Sequence, residues 1–423
     1  MLIPMLIIFI ALLLLGVPVA FTMGIATSFY FVTTGMSLPI MTQRFFGGLN
    51  SFTILCIPGF MLAGSLMSEG GITKKIIEFC NTLIGHVRGG LAIANVLASM
   101  VFAGVSGSAI ADTVSIGGIL IPAMKEEGYD AEFSCAVTCS SSCIGPIIPP
   151  SIPLIVAGGC LGLSVTRLFA ASFVPGILFG VGMIIVSIIQ AKKHNYPKAE
   201  RRATFKEICT AGWTGLWALM MVAIILVGIL GGVITPTEAS AIAVVYGALV
   251  GAFIYKTLTW KALWKCLRDT VRAAAAVMLL VGFANAMAYI LAYEKVPQAV
   301  AVAITSVTTS KFLVILLINL LLIVVGMFME SLSAILILFP TLWAVASAVG
   351  MDPIHFTVMG VLNLVIGLCT PPVGVCLFAA TSIGQTKLTG VVKALVPFFI
   401  SNFATLAIVC IFPQITAGVA SLF

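Results

Sequence analysis

Two serines, Ser106 and Ser108, stand in the run Gly104-Val-Ser106-Gly107-Ser108, with a carboxylate, Asp112, four residues beyond. A second run, Gly326-Met-Phe-Met-Glu330-Ser331-Leu-Ser333, carries the same kinds of groups. Each is followed by a glycine that leads into two prolines: Gly145 into Pro149-Pro150-Ser151, and Gly367 into Thr370-Pro371-Pro372. Paired prolines remove two backbone donors and clash with the turn before them, so each segment reads as a helix broken halfway. Apolar residues surround both breaks. Unpaired backbone groups are costly in a bilayer, so a break there is tolerated only where it lines a cavity or binds something. A matched pair of interrupted apolar segments points to a transporter's binding site at the membrane midplane.

Other chemistries fit less well. Gly104-Val-Ser106-Gly107 matches the GxSG of rhomboid intramembrane proteases, but a serine nucleophile needs a histidine within hydrogen-bond reach. The three histidines, His86, His194 and His355, all fall in arms or loops near the faces. No GxxxxGK[ST] phosphate loop is present, which excludes an ATP-driven pump in one chain. Two intramembrane carboxylates, Asp112 and Glu238, are functional candidates by default. Asp112 follows the first serine pair and is read as supporting the site. Glu238 lies beside Pro236 at a span boundary, where solvation is cheap. Asp352 and His355, before the second break, read as helix-start structure.

The surroundings of these groups follow from composition. The chain has 423 residues, 61% hydrophobic and 8% charged, and runs of 18 or more apolar residues recur from end to end. Its mean hydropathy is +1.21. This is a polytopic helical membrane protein. The net charge of +7 sits in short loops between apolar runs, which suits membrane orientation and not nucleic acid. The eleven cysteines lie mostly inside apolar segments, without paired CxxC spacing, and read as small buried residues rather than disulfides or metal ligands. Met1 to Leu15 lacks a basic n-region and reads as the first span, not a signal peptide.

The two halves repeat each other. Gly128, Asp130, Gly145, Pro149 and Pro150 answer to Gly350, Asp352, Gly367, Pro371 and Pro372 at a constant offset of 222. Pro18 aligns with Pro236, and Gly64 with Gly282, at 218. The first repeat covers 1–190: scaffold spans 2–67; arm, hairpin and broken helix 71–163; a span 167–190. A polar linker, 191–212, precedes the second repeat, 213–423: scaffold spans 213–292; arm, hairpin and broken helix 293–385; a span 390–412. Ser37 to Asn50 and Thr257 to Asp269 read as short amphipathic helices along the interface. The hairpins are read as re-entrant, with half-length arms and polar tips.

Charge gives the halves opposite orientation. Lys261, Lys265 and Arg268 mark Thr257 to Asp269 as cytoplasmic, whereas its counterpart carries only Arg44. Lys74, Lys75, His86 and Arg88 place the first arm inside, and Glu294 and Lys295 leave the second outside. Linker 191–212 has six basic residues against two acidic ones and is cytoplasmic. Both termini then fall on the outer side of the membrane.

The segments GVSGSAIADT with IPAM, GPIIPPSIP, TPTEA and GMDPIHFTVMGVLNLVIGLCTPPVG, in that order, resemble the large membrane (M-type permease) subunit of the tripartite ATP-independent periplasmic (TRAP) transporters. The resemblance spans essentially the whole chain. It implies an ion-transporter-superfamily fold and an elevator mechanism, in which the arm, hairpins and broken helices move and the remainder is scaffold. It also implies no enzyme activity, co-transported sodium ions and no organic cofactor. Its partners are a small four-helix membrane subunit on a separate chain and a periplasmic substrate-binding protein. The implied substrate is an organic acid, either an acidic sugar such as sialic acid or a dicarboxylate. A stand-alone sodium-coupled carboxylate carrier of the same fold is the nearer alternative, and an intramembrane serine protease the distant one.

Sodium is a hard cation and takes oxygen ligands, by analogy with calcium and magnesium. One site is expected from Ser106, Ser108, Gly145 and Pro149, and a second from Gly326, Glu330, Gly367 and Thr370, each joining a hairpin tip to a break. The serines also suit capping of the second hairpin helix. No Arg or Lys falls in the tips or breaks. The substrate carboxylate is therefore expected on helix N-termini and on hydroxyls of Ser106, Ser108, Ser151, Ser331, Ser333 and Thr370.

Overall fold

The punctuation read from the sequence becomes helix ends in a computed structural model of the chain, which describes residues 1–197, 203–308 and 310–423. Helices α1 (Leu2–Leu14) and α2 (Val19–Thr34) are separated by Gly16 in a left-handed conformation and by Pro18. Then come α3 (Leu38–Leu49), α4 (Cys56–Glu69) and the arm α5 (Ile72–Ile84). The first hairpin is α6 (Gly90–Ser106) and α7 (Ala109–Glu126); the first broken helix is α8 (Ala131–Ser142) and α9 (Ile152–Leu161). Helix α10 (Val165–Lys193) closes the first half.

The second half runs α11 (Phe205–Leu230), α12 (Pro236–Leu249), α13 (Trp260–Tyr293) and α14 (Val296–Val307). Its hairpin is α15 (Lys311–Phe328) and α16 (Ser331–Ala348), its broken helix α17 (Pro353–Gly367) and α18 (Val375–Gly384), and its last span α19 (Leu388–Ile411). No strand occurs among the described residues. The linker residues Lys198, Glu200, Arg201 and Arg202 lie outside those described.

Side-chain bonds between distant segments sort the helix ends into two faces. On one, Lys265 pairs with Glu69, Thr257 Oγ1 donates to the Gly70 carbonyl (2.6 Å), and Arg88 donates to Asn195 (2.9 Å). Lys125 Nζ reaches the Gly384 carbonyl (3.0 Å) and Thr386 Oγ1 reaches Glu132 (3.0 Å) on the same face. On the other, Tyr30 donates to Glu294, Lys311 Nζ to the Gly350 carbonyl (3.1 Å), and His355 Nδ1 meets Thr416 Oγ1 (2.8 Å). Helices α13 and α19 run from the first face to the second. The first hairpin therefore opens on one face and the second on the opposite one, so the repeats are inverted.

Three expectations need correction. Thr257 to Asp269 is not a separate interfacial helix: α13 is continuous for 34 residues, about 51 Å, longer than the ~30 Å hydrocarbon core. Its counterpart α3 stops at Gly47-Gly48-Leu-Asn50, whereas Thr270-Val-Arg-Ala-Ala-Ala-Ala contains no breaker and favours helix. The hairpin arms are not half-length but 17 or 18 residues, and those of α15 and α16 are long and apolar enough to cross by composition alone. What makes the hairpins re-entrant is that their tips meet the breaks. Finally, α10 and α19 do not pack as scaffold. They lie against each other and on α6, α8 and α17, with Asn402 Nδ2 of α19 donating to Ser140 Oγ of α8 (3.1 Å).

Two groupings stand out in the packing, joined by α11 on α5, α4 on α6 and α13 on α16. Helix α12 lies on α4, and α13 on α2, α3 and α4. In the other group each broken helix crosses to the opposite hairpin: α18 packs on α7 and α8, and α9 on α16. The four half-helices and two hairpins thus form one interlocked core, with the arms α5 and α14 at its edge on α6 and α16.

Candidate functional site

The first tip is a single left-handed residue, Gly107 (φ +58°), between the end of α6 and Ser108, which opens α7 in an extended conformation. A Cβ on Gly107 would stand 2.8 Å from the Pro150 carbonyl oxygen, so the tip is seated on the first break. The carbonyl that meets it belongs to Pro150, one residue beyond the expected Pro149; a cis peptide joins the two.

Asp112 completes this junction. Its Oδ1 accepts a hydrogen bond from Ser106 Oγ, and its Oδ2 is buried with no partner. Oδ2 faces Gly145, at the unwound end of α8: a Cβ there would stand 2.2 Å from it and 3.3 Å from the Ser142 carbonyl oxygen. The structure thus brings Ser106, Asp112 and Gly145 together. A buried carboxylate oxygen without a donor is a costly arrangement, which a cation, a proton or a ligand's donor would relieve. Sequence reasoning gave Asp112 only a supporting place, because the fold of the tip that turns its carboxylate back onto Ser106 is not visible in spacing alone.

At the second break the contact is backbone on backbone. A Cβ on Gly367 would stand 2.6 Å from the Gly326 carbonyl carbon and 2.9 Å from its oxygen. The Gly374 N–H donates to the Met327 carbonyl (3.2 Å), tying the far side of the break to the same tip. Thr370 sits in the turn, its N–H on the Gly367 carbonyl (2.9 Å). Glu330 occupies the N-cap position of α16 and is exposed, with no side-chain cap.

Hydroxyl bookkeeping separates the serine and threonine candidates, since each has one proton to donate. Ser106 donates to Asp112, Thr370 to the Ile366 carbonyl (2.8 Å), and Ser151 to the Pro146 carbonyl. Ser106 and Thr370 keep lone pairs, which suit a cation and not a carboxylate. Ser151 also accepts from Leu154 N–H (3.2 Å), so its oxygen is occupied as the cap of α9. Ser108 makes no side-chain cap bond, and the buried Ser331 Oγ has no partner. With Ser333, buried in the first turn of α16, these are the hydroxyls left to donate to an anion.

Glu238 does not join the site. Its carboxylate accepts from Thr235 N–H (2.8 Å) and Thr235 Oγ1 (2.8 Å) in a capping box at the exposed start of α12, on the α4 side of the molecule. Asp352 accepts from Ile354 and His355 N–H (both 2.9 Å), the helix-start role read from its position. All eleven cysteines are free thiols. Cys143 and Cys369 approach to 2.9 Å where the two breaks cross, with Cys369 Sγ directed at the Cys139 carbonyl (3.0 Å).

Against known proteins, residues 6–415 match the sequence model of the DctM component of tripartite ATP-independent periplasmic transporters. The chain belongs to this family. It is 38% identical over 416 residues to the sialic acid TRAP transporter large permease protein SiaM of Vibrio cholerae, covering 97% of this chain and 96% of that one. It is 34% identical over 428 residues to the C4-dicarboxylate TRAP transporter large permease protein DctM of Rhodobacter capsulatus, covering 98% and 97%. The crystal structure of the Alcanivorax borkumensis YdaH transporter shares the fold, with a TM-score of 0.64, 15% identity and coverage of 88% of this chain and 87% of that one. As a TRAP large permease the chain is a transporter subunit of a bacterial membrane, and such permeases work with a small membrane subunit and a periplasmic binding protein.

Proposed function

We propose that this TRAP large permease couples inward sodium movement to uptake of an organic acid, with the interlocked core moving as an elevator against the helices grouped around α13. The carrying observation is the Asp112 carboxylate, held by Ser106 on one oxygen and left unpaired on the other beside the unwound end of α8. A sodium ion there has Asp112 Oδ2, Ser106 Oγ and carbonyls of the break as oxygen ligands, with Ser108 beside it. The second ion takes main-chain oxygens at Gly326 and Gly367 with Thr370 Oγ1; Glu330 stands at the edge of that site. Both ions leave positive charge where Ser108, Ser331 and Ser333 present free hydroxyls. Together with the uncapped N-termini of α7 and α16, these bind the substrate carboxylate.

The energetics are adequate. Two sodium ions with a monoanion carry one net positive charge, and its inward movement yields about 2.3 kcal/mol per 100 mV, beyond the sodium gradient itself. The substrate is an acidic sugar or a dicarboxylate, the classes for which the relatives SiaM and DctM are named. In this reading the small subunit is a separate chain, the binding protein delivers substrate from the periplasm, both termini lie outside and linker 191–212 lies inside.

The experiment is uptake into liposomes holding this chain and its small partner, with the sodium gradient and the binding protein each present or omitted. Uptake that needs both supports the reading. Uptake without the binding protein makes the chain a stand-alone carrier, and uptake indifferent to sodium removes the ion sites.

A further inference from the structure

Helices α15 and α17 meet closest at two glycines. Gly326 and Gly367 let the two backbones touch, and glycines present no side chains to interlock, so at that point the register is set by contacts elsewhere along the helices. Any slide would move the main-chain oxygens of the second ion site relative to one another. The directional bonds that oppose it centre on one pair of amides, with Asn319 Nδ2 also 3.3 Å from Met359 Sδ on α17. Asn363, one turn before Gly367 and 1% exposed, donates through Nδ2 to Asn319 Oδ1 (2.7 Å) and to the Asn319 carbonyl (3.0 Å). Asn319, two turns before Gly326, is itself tied to its own helix by Nδ2 donating to the Ile315 carbonyl (2.8 Å).

The first half has a device at the same repeat position. Ser141, which is 222 residues before Asn363, donates to Asn95 Oδ1 (3.1 Å) on α6, and Ser99 donates to Ser141 (2.9 Å). Asn95 Nδ2 in turn reaches Thr138 Oγ1 (2.7 Å). Both halves therefore place a buried polar side chain on the broken helix to bind the first arm of its hairpin. A single buried amide is known to fix register between packed helices where apolar contacts leave it open.

We propose that Asn363 is a positioning residue for the second ion site, acting through Asn319 to hold Gly326 in register with Gly367; this rests on the sodium-coupled reading above. Losing the bond leaves the ligands in place but unaligned, so sodium itself must assemble them, and apparent sodium affinity falls.

The test measures uptake against sodium concentration in proteoliposomes normalised to folded protein. Asn363→Leu is expected to raise the half-saturating sodium concentration about threefold to tenfold, the range of a buried interhelical hydrogen bond in a membrane. Asn319→Leu keeps the bond to the Asn319 carbonyl and gives a smaller shift in the same direction; the double variant is no worse than Asn363→Leu alone. If Asn363→Leu fails to fold, Asn319→Leu carries the test. A lower yield or maximal rate with unchanged half-saturation, in a wild type that is sodium-dependent, overturns the proposal and makes the pair merely structural. Wild-type uptake that ignores sodium overturns the coupled reading, and this proposal with it.

Discussion

Gly145 faces Asp112 so closely that a Cβ built on it would stand 2.2 Å from Oδ2. The glycine at the first break is thus the residue that leaves room beside a buried carboxylate, and the space it leaves is the ion position proposed above.

Filling that space is expected to abolish coupling. Gly145→Ala places a methyl on the Asp112 oxygen, and Gly367→Ala places one against Gly326 backbone, which has no flexible end to yield. Uptake should fall to background in both. Gly118→Ala on α7 is the control: nothing lies within 4 Å of its added Cβ. It should transport normally and gain roughly 0.5–1 kcal/mol in stability, the usual benefit of alanine over glycine within a helix. Transport assays with thermal unfolding of the purified variants check both.

Two serines at equivalent helix starts should behave differently. Ser151 is committed as the cap of α9, so Ser151→Ala should cost about 1 kcal/mol of stability while leaving KM for the substrate near wild type. Ser108 caps nothing, so Ser108→Ala should leave stability unchanged. It should raise the substrate KM about tenfold or more, as for loss of a hydrogen bond to a charged group. Equal effects of the two on KM would contradict the division of hydroxyls.

Glu238→Ala is expected to weaken the start of α12 slightly through loss of its capping box, read as a small fall in thermal stability. Sodium half-saturation and substrate KM, measured per folded protein, should not move. A shift in either would return Glu238 to the transport machinery.

Much of this architecture was legible because its signals are local. Pro149-Pro150 and Pro371-Pro372 announce the breaks, Gly16 and Pro18 the first turn, and Asp352 its own helix cap. The clamps were not legible, because Asn95 meets Ser141 across 46 residues and Asn319 meets Asn363 across 44, and an asparagine in an apolar run does not name its partner. The continuity of α13 was missed for the opposite reason. The amphipathic pattern stops near Asp269, but nothing in the alanine run after it stops the helix. Ser151 and Ser108 look alike in sequence, and only the donor directions in the folded chain tell them apart.

The most direct test compares the sodium dependence of uptake in wild type and Asp112→Asn, which keeps the shape of the side chain and removes its charge. Binding protein and small subunit are present throughout. Wild-type uptake should saturate with sodium, and the variant should lose that dependence or need at least about tenfold more sodium, as expected when a charged ligand becomes neutral. An Asp112→Asn protein with the wild-type half-saturation and rate would contradict the assignment of the first ion to this carboxylate.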